Sequence, residues 1–196
     1  PSNVSDGMNG KFINKVFFQK NSEKENSQNL IKKSEYEQNK ETLRLIYLDT
    51  VENKKICESI AKNLNENLKV KIECQGYEIE QFTQEIKKND YDIAKIDYEG
   101  NYDYPLSFLE GWMSSSDTNF SGYKNIQFDE KVVKAKMEND KTKKIELLKE
   151  AENILIGDAP MVPLYFNNNI ICKKSNIEGI YITNKGNIKL DKAYVK

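Results

Sequence analysis

The sequence contains no histidine. That excludes imidazole general acid–base chemistry, histidine-activated nucleophiles and imidazole metal sites. Cysteine is scarce: Cys57, Cys74 and Cys172 are odd in number and form no CxxC pair. Neither a complete disulfide framework nor a structural zinc site is expected. Each cysteine has apolar neighbours and reads as a buried free thiol. No GxSxG elbow and no glycine-rich phosphate loop is present, which argues against an α/β hydrolase or a phosphate-binding enzyme. No run is long and apolar enough to span a membrane, and no signal peptide or lipidation motif stands out. No sign of charge prevails: 30 basic and 31 acidic residues are well mixed for a net charge of −1. The basic stripe that nucleic acid would need is missing, so no nucleic-acid partner is expected. The chain begins at Pro1 without an initiator methionine and reads as a piece of something longer.

What is present suits one domain or one and a half. Of 196 residues 38% are hydrophobic and 31% charged, and the apolar ones fall in periodic blocks, so a core is available. Residues 1–40 read as a polar lead-in. It has turn residues over 2–10, a brief apolar patch at Ile13–Phe18, a charged mobile stretch over 21–28 and a short helix over 29–37. Residues 42–49 read as an inner strand covered on both faces. Asp49 or Thr50 caps a helix over 51–65, with Ile56, Ile60 and Leu64 on one stripe and Cys57 and Ala61 beside it. Alternation over 68–74 predicts a second strand, which closes a βαβ unit with a parallel pair. A helix over 78–88 carries Ile79, Phe82 and Ile86 on its apolar face, and a third strand covers 91–96. Two helices follow over 128–138 and 142–156. Residues 159–166 hold two prolines and read as a short or edge strand. Further extended pieces fall at 170–173, 177–183 and 188–190.

The stretch Tyr91–Tyr123 organises the chain. Its opening strand runs into a loop crowded with Asp97, Tyr98, Asn101, Tyr102, Asp103 and Tyr104, then Pro105 and a helical turn over 106–112. Ligands of open α/β sheets sit beyond the carboxyl ends of the strands. Aromatic faces with amides and carboxylates suit a polar, extended ligand. The other reading is a surface loop whose Tyr98 and Tyr102 cap the core.

Several motifs then stand in order: Asn53-Lys54-Lys55-Ile56 opening the first long helix, Tyr91-Asp92-Ile93-Ala94, Asn101-Tyr102-Asp103-Tyr104-Pro105-Leu106-Ser107-Phe108-Leu109, Asn119-Phe120-Ser121-Gly122-Tyr123, and Ala159-Pro160-Met161-Val162-Pro163-Leu164-Tyr165-Phe166. From about Asn29 onward the chain resembles the C-terminal portion of the extracellular solute-binding proteins of oligopeptide and dipeptide ABC transporters (family 5). The resemblance implies an α/β, type II periplasmic-binding-protein-like lobe with a mostly parallel sheet flanked by helices and a C-terminal extended tail. It implies a ligand-binding lobe over 41–166 and a tail over 167–196 that returns to a first lobe not in this chain. The implied activity is capture of oligopeptides by two-lobe closure for an ABC importer, not catalysis, with no cofactor. Nickel- or haem-binding members of the same family and a standalone α/β interaction domain are the alternatives.

The implied ligand-binding residues are Lys95, Tyr98, Asn101, Tyr102, Asp103 and Phe166. Tyr98 stands where the family often has a tryptophan. Asn101 stands where oligopeptide binders have the aspartate that meets the peptide amine, which leaves Asp97, Glu99 or Asp103 to supply that charge. Lys95 replaces an arginine, keeping the charge but not the bidentate fork. The implied partners are a peptide, membrane permease subunits and the missing first lobe. The implied location is the extracellular face of the membrane, lipid-anchored through another part, or the periplasm. The tail either frays, folds back, or pairs with a second copy as a tail-mediated dimer.

Overall fold

Strand β1 (Leu43–Leu48) has Leu45, Ile46 and Tyr47 buried in succession, which requires cover on both faces. In the computed structural model, residues 22–39, 41–98, 102, 104–165, 172–182 and 187–196 are described. They group into two compact units, one ending at Asp97 and one starting at Tyr98.

In the first unit β1 is the centre of a three-stranded parallel sheet of order β2-β1-β3, with β2 at Ile72–Tyr77 and β3 at Ile93–Lys95. Leu43 pairs with Ile72, and Leu45 with both Cys74 and Ile93. Thr50, not Asp49, caps α3 (Val51–Leu68): its Oγ1 accepts from Asn53 N at 3.1 Å. Cys57 of α3 closes on Leu45 and Tyr47, with Ile60 and Cys74 around them. The deepest positions of α3 are Asn53 and Cys57, beside the expected stripe. Asn53 is buried because its Nδ2 donates to the Leu48 carbonyl at 2.9 Å, which ties the helix start to the end of β1.

Helix α3 runs three residues past the expected Asn65, and β2 starts at Ile72 instead of Leu68. Lys69 is the reason. It takes a left-handed conformation (φ 60°) and its N–H closes on the Asn65 carbonyl. A lysine in a cap where glycine is usual left no sign in the sequence. Helix α4 (Ile79–Lys88) buries Ile86, but Ile79 is exposed, contrary to expectation. Ile79 is the first helical residue, before the apolar face has turned inward. β3 keeps only three of the six expected residues. The stretch expected to be mobile over 21–28 is helical from Ser22: α1 spans Ser22–Lys33 and α2 Glu35–Asn39. Gln28 donates to the Asn67 carbonyl at 3.0 Å, and the Tyr36 hydroxyl accepts from Lys71 N at 2.7 Å. Those two bonds hold α1 and α2 to the turn between α3 and β2.

Arg44, the sequence's only arginine, clamps the exposed end of this sheet. Its guanidinium reaches Glu85 at 2.9 Å, Gln75 at 3.1 Å, the Tyr77 hydroxyl and the Asp90 carbonyl, while its N–H donates to the Asp92 carboxylate at 2.7 Å. Five partners from β2, α4 and the approach to β3 converge on one side chain and its own backbone.

The second unit is built on α5 (Leu106–Glu110), α6 (Ile126–Met137) and α7 (Lys141–Asp158). Asn125 caps α6 by accepting from Gln127 N and Phe128 N at 2.9 and 3.1 Å, and Asp140 caps α7 by accepting from Lys143 N at 2.9 Å. Phe128, Val132 and Ala135 of α6 meet Leu148, Ala151 and Leu155 of α7, with Leu106, Leu109 and Trp112 completing the core. After Ala159 (φ 54°) the chain to Tyr165 forms no strand, a correction to the strand expected over 159–166. Pro160 and Pro163 remove two ladder donors from a short segment.

The C-terminal stretch pairs with itself. β4 (Ile177–Glu178) and β7 (Tyr194–Val195) are antiparallel, as are β5 (Tyr181–Ile182) and β6 (Ile188–Lys189). Between β4 and β5 Gly179 takes φ 76°, and a Cβ there would stand 1.8 Å from the Lys192 carbonyl oxygen, so only glycine fits. Cys172 and Lys173 are not in a strand, and Cys172 is exposed rather than buried. The expected patch at Ile13–Phe18 and the pieces at 170–171 and 183 lie outside the described residues.

Candidate functional site

Tyr98, Tyr102 and Lys95 are the described members of the expected ligand-binding set. Asn101, Asp103 and Phe166 lie outside the described residues, as does Glu99. Lys95 ends β3 in the first unit; Tyr98 and Tyr102 belong to the second.

Lys95 is buried, with 6% of its side chain exposed, and its ammonium meets Asp97 at 2.7 Å. A buried ammonium needs such a carboxylate. Asp97 was one of the carboxylates expected to receive a ligand amine, and here it is bonded to Lys95.

Tyr98 packs on two aromatic rings. Its centroid lies 6.0 Å from Phe108 and 6.1 Å from Trp112, both tilted. The residue keeps 36% of its surface exposed. Its hydroxyl rests against Gly111, where a Cβ would come within 1.8 Å of it. Burial of the phenol, with the Glu110 charge second, raises its pKa.

Tyr102 is fixed at both ends. Its carbonyl accepts from Ser107 Oγ at 2.7 Å and from Tyr104 N at 2.9 Å. Its hydroxyl donates to Glu110 at 2.7 Å, and Glu110 in turn takes Lys136 of α6 at 2.8 Å. Burial and the bonded carboxylate push the Tyr102 phenol well above the usual tyrosine range. For Glu110 burial works upward, yet the bonds from Lys136 and Tyr102 together hold the carboxyl below its ordinary value.

The loop beyond α5 is ordered by one carboxamide. Asn119 Nδ2 lies within reach of the carbonyls of Trp112, Met113 and Tyr123, at 3.5, 3.2 and 2.7 Å. Asp158, at the end of α7, accepts from the Tyr123 hydroxyl at 2.6 Å and from Asn125 at 2.7 Å, which lowers its pKa.

The two readings of the loop both find support in Tyr98, which covers a core tryptophan and still presents a third of its surface. Sequence reasoning missed Glu110, Gly111, Trp112 and Lys136. Gly111-Trp112 directly after a short apolar helix was the one available signal, a glycine placed where a ring must come close. Among the described residues no three Cys, Asp or Glu gather to hold a metal ion, and no helix is long and apolar enough to cross a membrane.

No protein-family profile matches the chain. The oligopeptide-binding protein OppA of Bacillus subtilis is 28% identical over 155 residues, covering 79% of this chain and 28% of that protein. The dipeptide-binding protein DppE of the same organism is 30% identical over 138 residues, covering 70% of this chain and 25% of that protein. The chain thus spans little more than a quarter of the length of these curated relatives. The structure of Haemophilus influenzae OppA in complex with RPPGFSPFR superposes with a TM-score of 0.77 at 20% identity over 88% of this chain and 34% of that one. The fold is therefore α/β and of the type II periplasmic-binding-protein class, and the chain is homologous to the solute-binding proteins of the oligopeptide and dipeptide family.

Proposed function

We propose that this chain contributes a peptide-binding lobe to the solute-binding component of a peptide-type ABC importer. Residues 41–166 form the lobe and residues 167–196 a tail that engages a further lobe. The observation that carries this reading is homology to an oligopeptide- and a dipeptide-binding protein across a segment that includes the tyrosine-rich loop after β3. In that loop Tyr98 offers an aromatic face, and Tyr102 is held by the Lys136–Glu110 pair. Lys95, Asn101, Asp103 and Phe166 complete the ligand-contacting set. Peptide main-chain groups bond to loop amides while side chains rest on the tyrosines, and closure of two lobes buries the ligand. The protein works with membrane permease subunits at the outer face of the cell membrane, lipid-anchored through another part, or in the periplasm. A self-paired tail also leaves open strand edges through which two copies associate.

Titration of the 15N-labelled chain with tri-alanine, free alanine, nickel ion and haem tests the reading. Saturable shifts with tri-alanine centred on residues 98–112, and none with free alanine, are expected. Saturable shifts with nickel or haem alone would replace the peptide reading with one of the family's other ligand classes.

A further inference from the structure

Trp112 is the sequence's single tryptophan and is nine-tenths buried in the core of the second unit. Its indole N–H is sealed from solvent and finds no hydrogen-bond partner among the described residues. Buried indole donors ordinarily find an acceptor, and one left unmade is a sizeable penalty that calls for a reason. Trp112 belongs to a core cluster with Leu106, Leu109 and Phe128 among others, and the Tyr98 ring packs against it, tilted, at 6.1 Å. Tyr98 is a neighbour with 36% of its surface exposed that meets it through ring packing. Its hydroxyl touches Gly111 and has no hydrogen-bond partner among the described residues. Two adjacent rings therefore carry polar groups that the chain itself leaves unmatched, at the foot of the tyrosine-rich loop.

We propose that Trp112 is a ligand-binding residue held in reserve behind Tyr98: the tyrosine ring turns aside as peptide enters, and the indole N–H donates to a main-chain carbonyl oxygen of the bound peptide. This rests on the peptide-binding reading above and adds a donor to it. A carbonyl is the matching chemistry because Trp112 offers a donor and no acceptor. Turning Tyr98 breaks ring contacts but no hydrogen bond, so the barrier is that of a partly exposed side chain. The exchange replaces an unsatisfied donor by a satisfied one, which makes the bond worth more than a surface hydrogen bond.

Because Trp112 is the only tryptophan, its indole gives one cross-peak in a 1H–15N spectrum of the full chain. Tri-alanine should move that peak downfield, and Trp112 emission should shift as Tyr98 leaves the ring. Trp112→Phe, which keeps an aromatic ring and removes the donor, should weaken tri-alanine binding about two- to tenfold. An indole peak that stays put while backbone peaks of residues 98–112 shift would overturn this inference and leave the peptide-binding reading standing. An indole contact to water that persists with and without tri-alanine would overturn it too, by supplying the missing acceptor. No shift in any peak up to saturating tri-alanine would remove both.

Discussion

The helical unit gathers nine buried side chains, Phe128 among them, whereas the sheet unit gathers only Leu45, Tyr47 and Cys57 on its α3 face. The sheet unit makes up the difference with polar ties: Asn53 to Leu48, Lys95 to Asp97, and Arg44 to Glu85 and its neighbours. The helical unit has such ties too, buried Ser107 to the Tyr102 and Tyr104 carbonyls among them, but its Trp112 indole N–H has no partner among the described residues. The larger apolar core thus lies in the helical unit, and the sheet unit leans more on directed bonds.

The largest effect should come from removing packing where packing dominates. Phe128→Ala should destabilise the helical unit by about 3–5 kcal/mol, read as lost amide-exchange protection in α6 and α7. A cost near that of an exposed substitution would mean that the nine-residue core is not the main support. Next comes the polar counterpart. Asn53→Ala strands the Leu48 carbonyl at the end of β1 and should cost about 1–3 kcal/mol, read as faster exchange in β1 and α3. Equal protection in parent and variant would break the contrast drawn above.

A smaller effect is pH-dependent. The Glu110 carboxyl is held below its ordinary value in the fold, so its contribution is complete above the ordinary carboxylate range and is lost as pH falls through the folded value. Glu110→Gln should therefore flatten the fall in melting temperature between about pH 5 and about pH 3. An acid limb unchanged by the substitution would assign that loss to other carboxylates, Glu85 first, whose pKa is lowered by Lys88 and Arg44. The smallest effect on stability is chemical labelling. Cys57 is buried, and burial with the nearby Cys74 raises its thiol to about 11. Iodoacetamide at neutral pH should modify Cys172 first, Cys74 more slowly and Cys57 only on unfolding. Early modification of Cys57 would show that the α3 face of the sheet opens readily.

Much of this frame was legible because periodicity carried it. α3, α4 and α7 repeat apolar residues at the helical period, and β1 is a short continuous apolar run of strand length. Boundaries failed where a single residue acted against its type, as Lys69 and Ala159 do by closing helices in left-handed conformations. The strand over 159–166 failed because a family-like motif with two prolines was read as extended pairing, and prolines withhold the donors that pairing needs. At the site, residue kinds were legible and relations were not. Tyr98 and Tyr102 announced themselves as aromatic groups in a loop. That Tyr102 binds Glu110 and Glu110 binds Lys136 depends on α5 meeting α6, which no spacing in the sequence encodes. Trp112 was read only as the end of a helical turn, and its unmatched indole is what distinguishes it.

The self-paired C-terminal stretch has a kinetic consequence. Its ladders join residues close in sequence, Tyr181 with Lys189 and Ile177 with Val195, and the backbone bond from Lys196 N to the Asn176 carbonyl at 2.8 Å closes the outer end. Contacts of such short range form on the order of microseconds, well before strands as distant as β1 and β3 find each other. Ladders of two residue pairs are also weak alone and open as readily as they close. The paired segments β4 with β7 and β5 with β6 therefore act as a latch that sets and releases many times while the parallel sheet is still searching for its register.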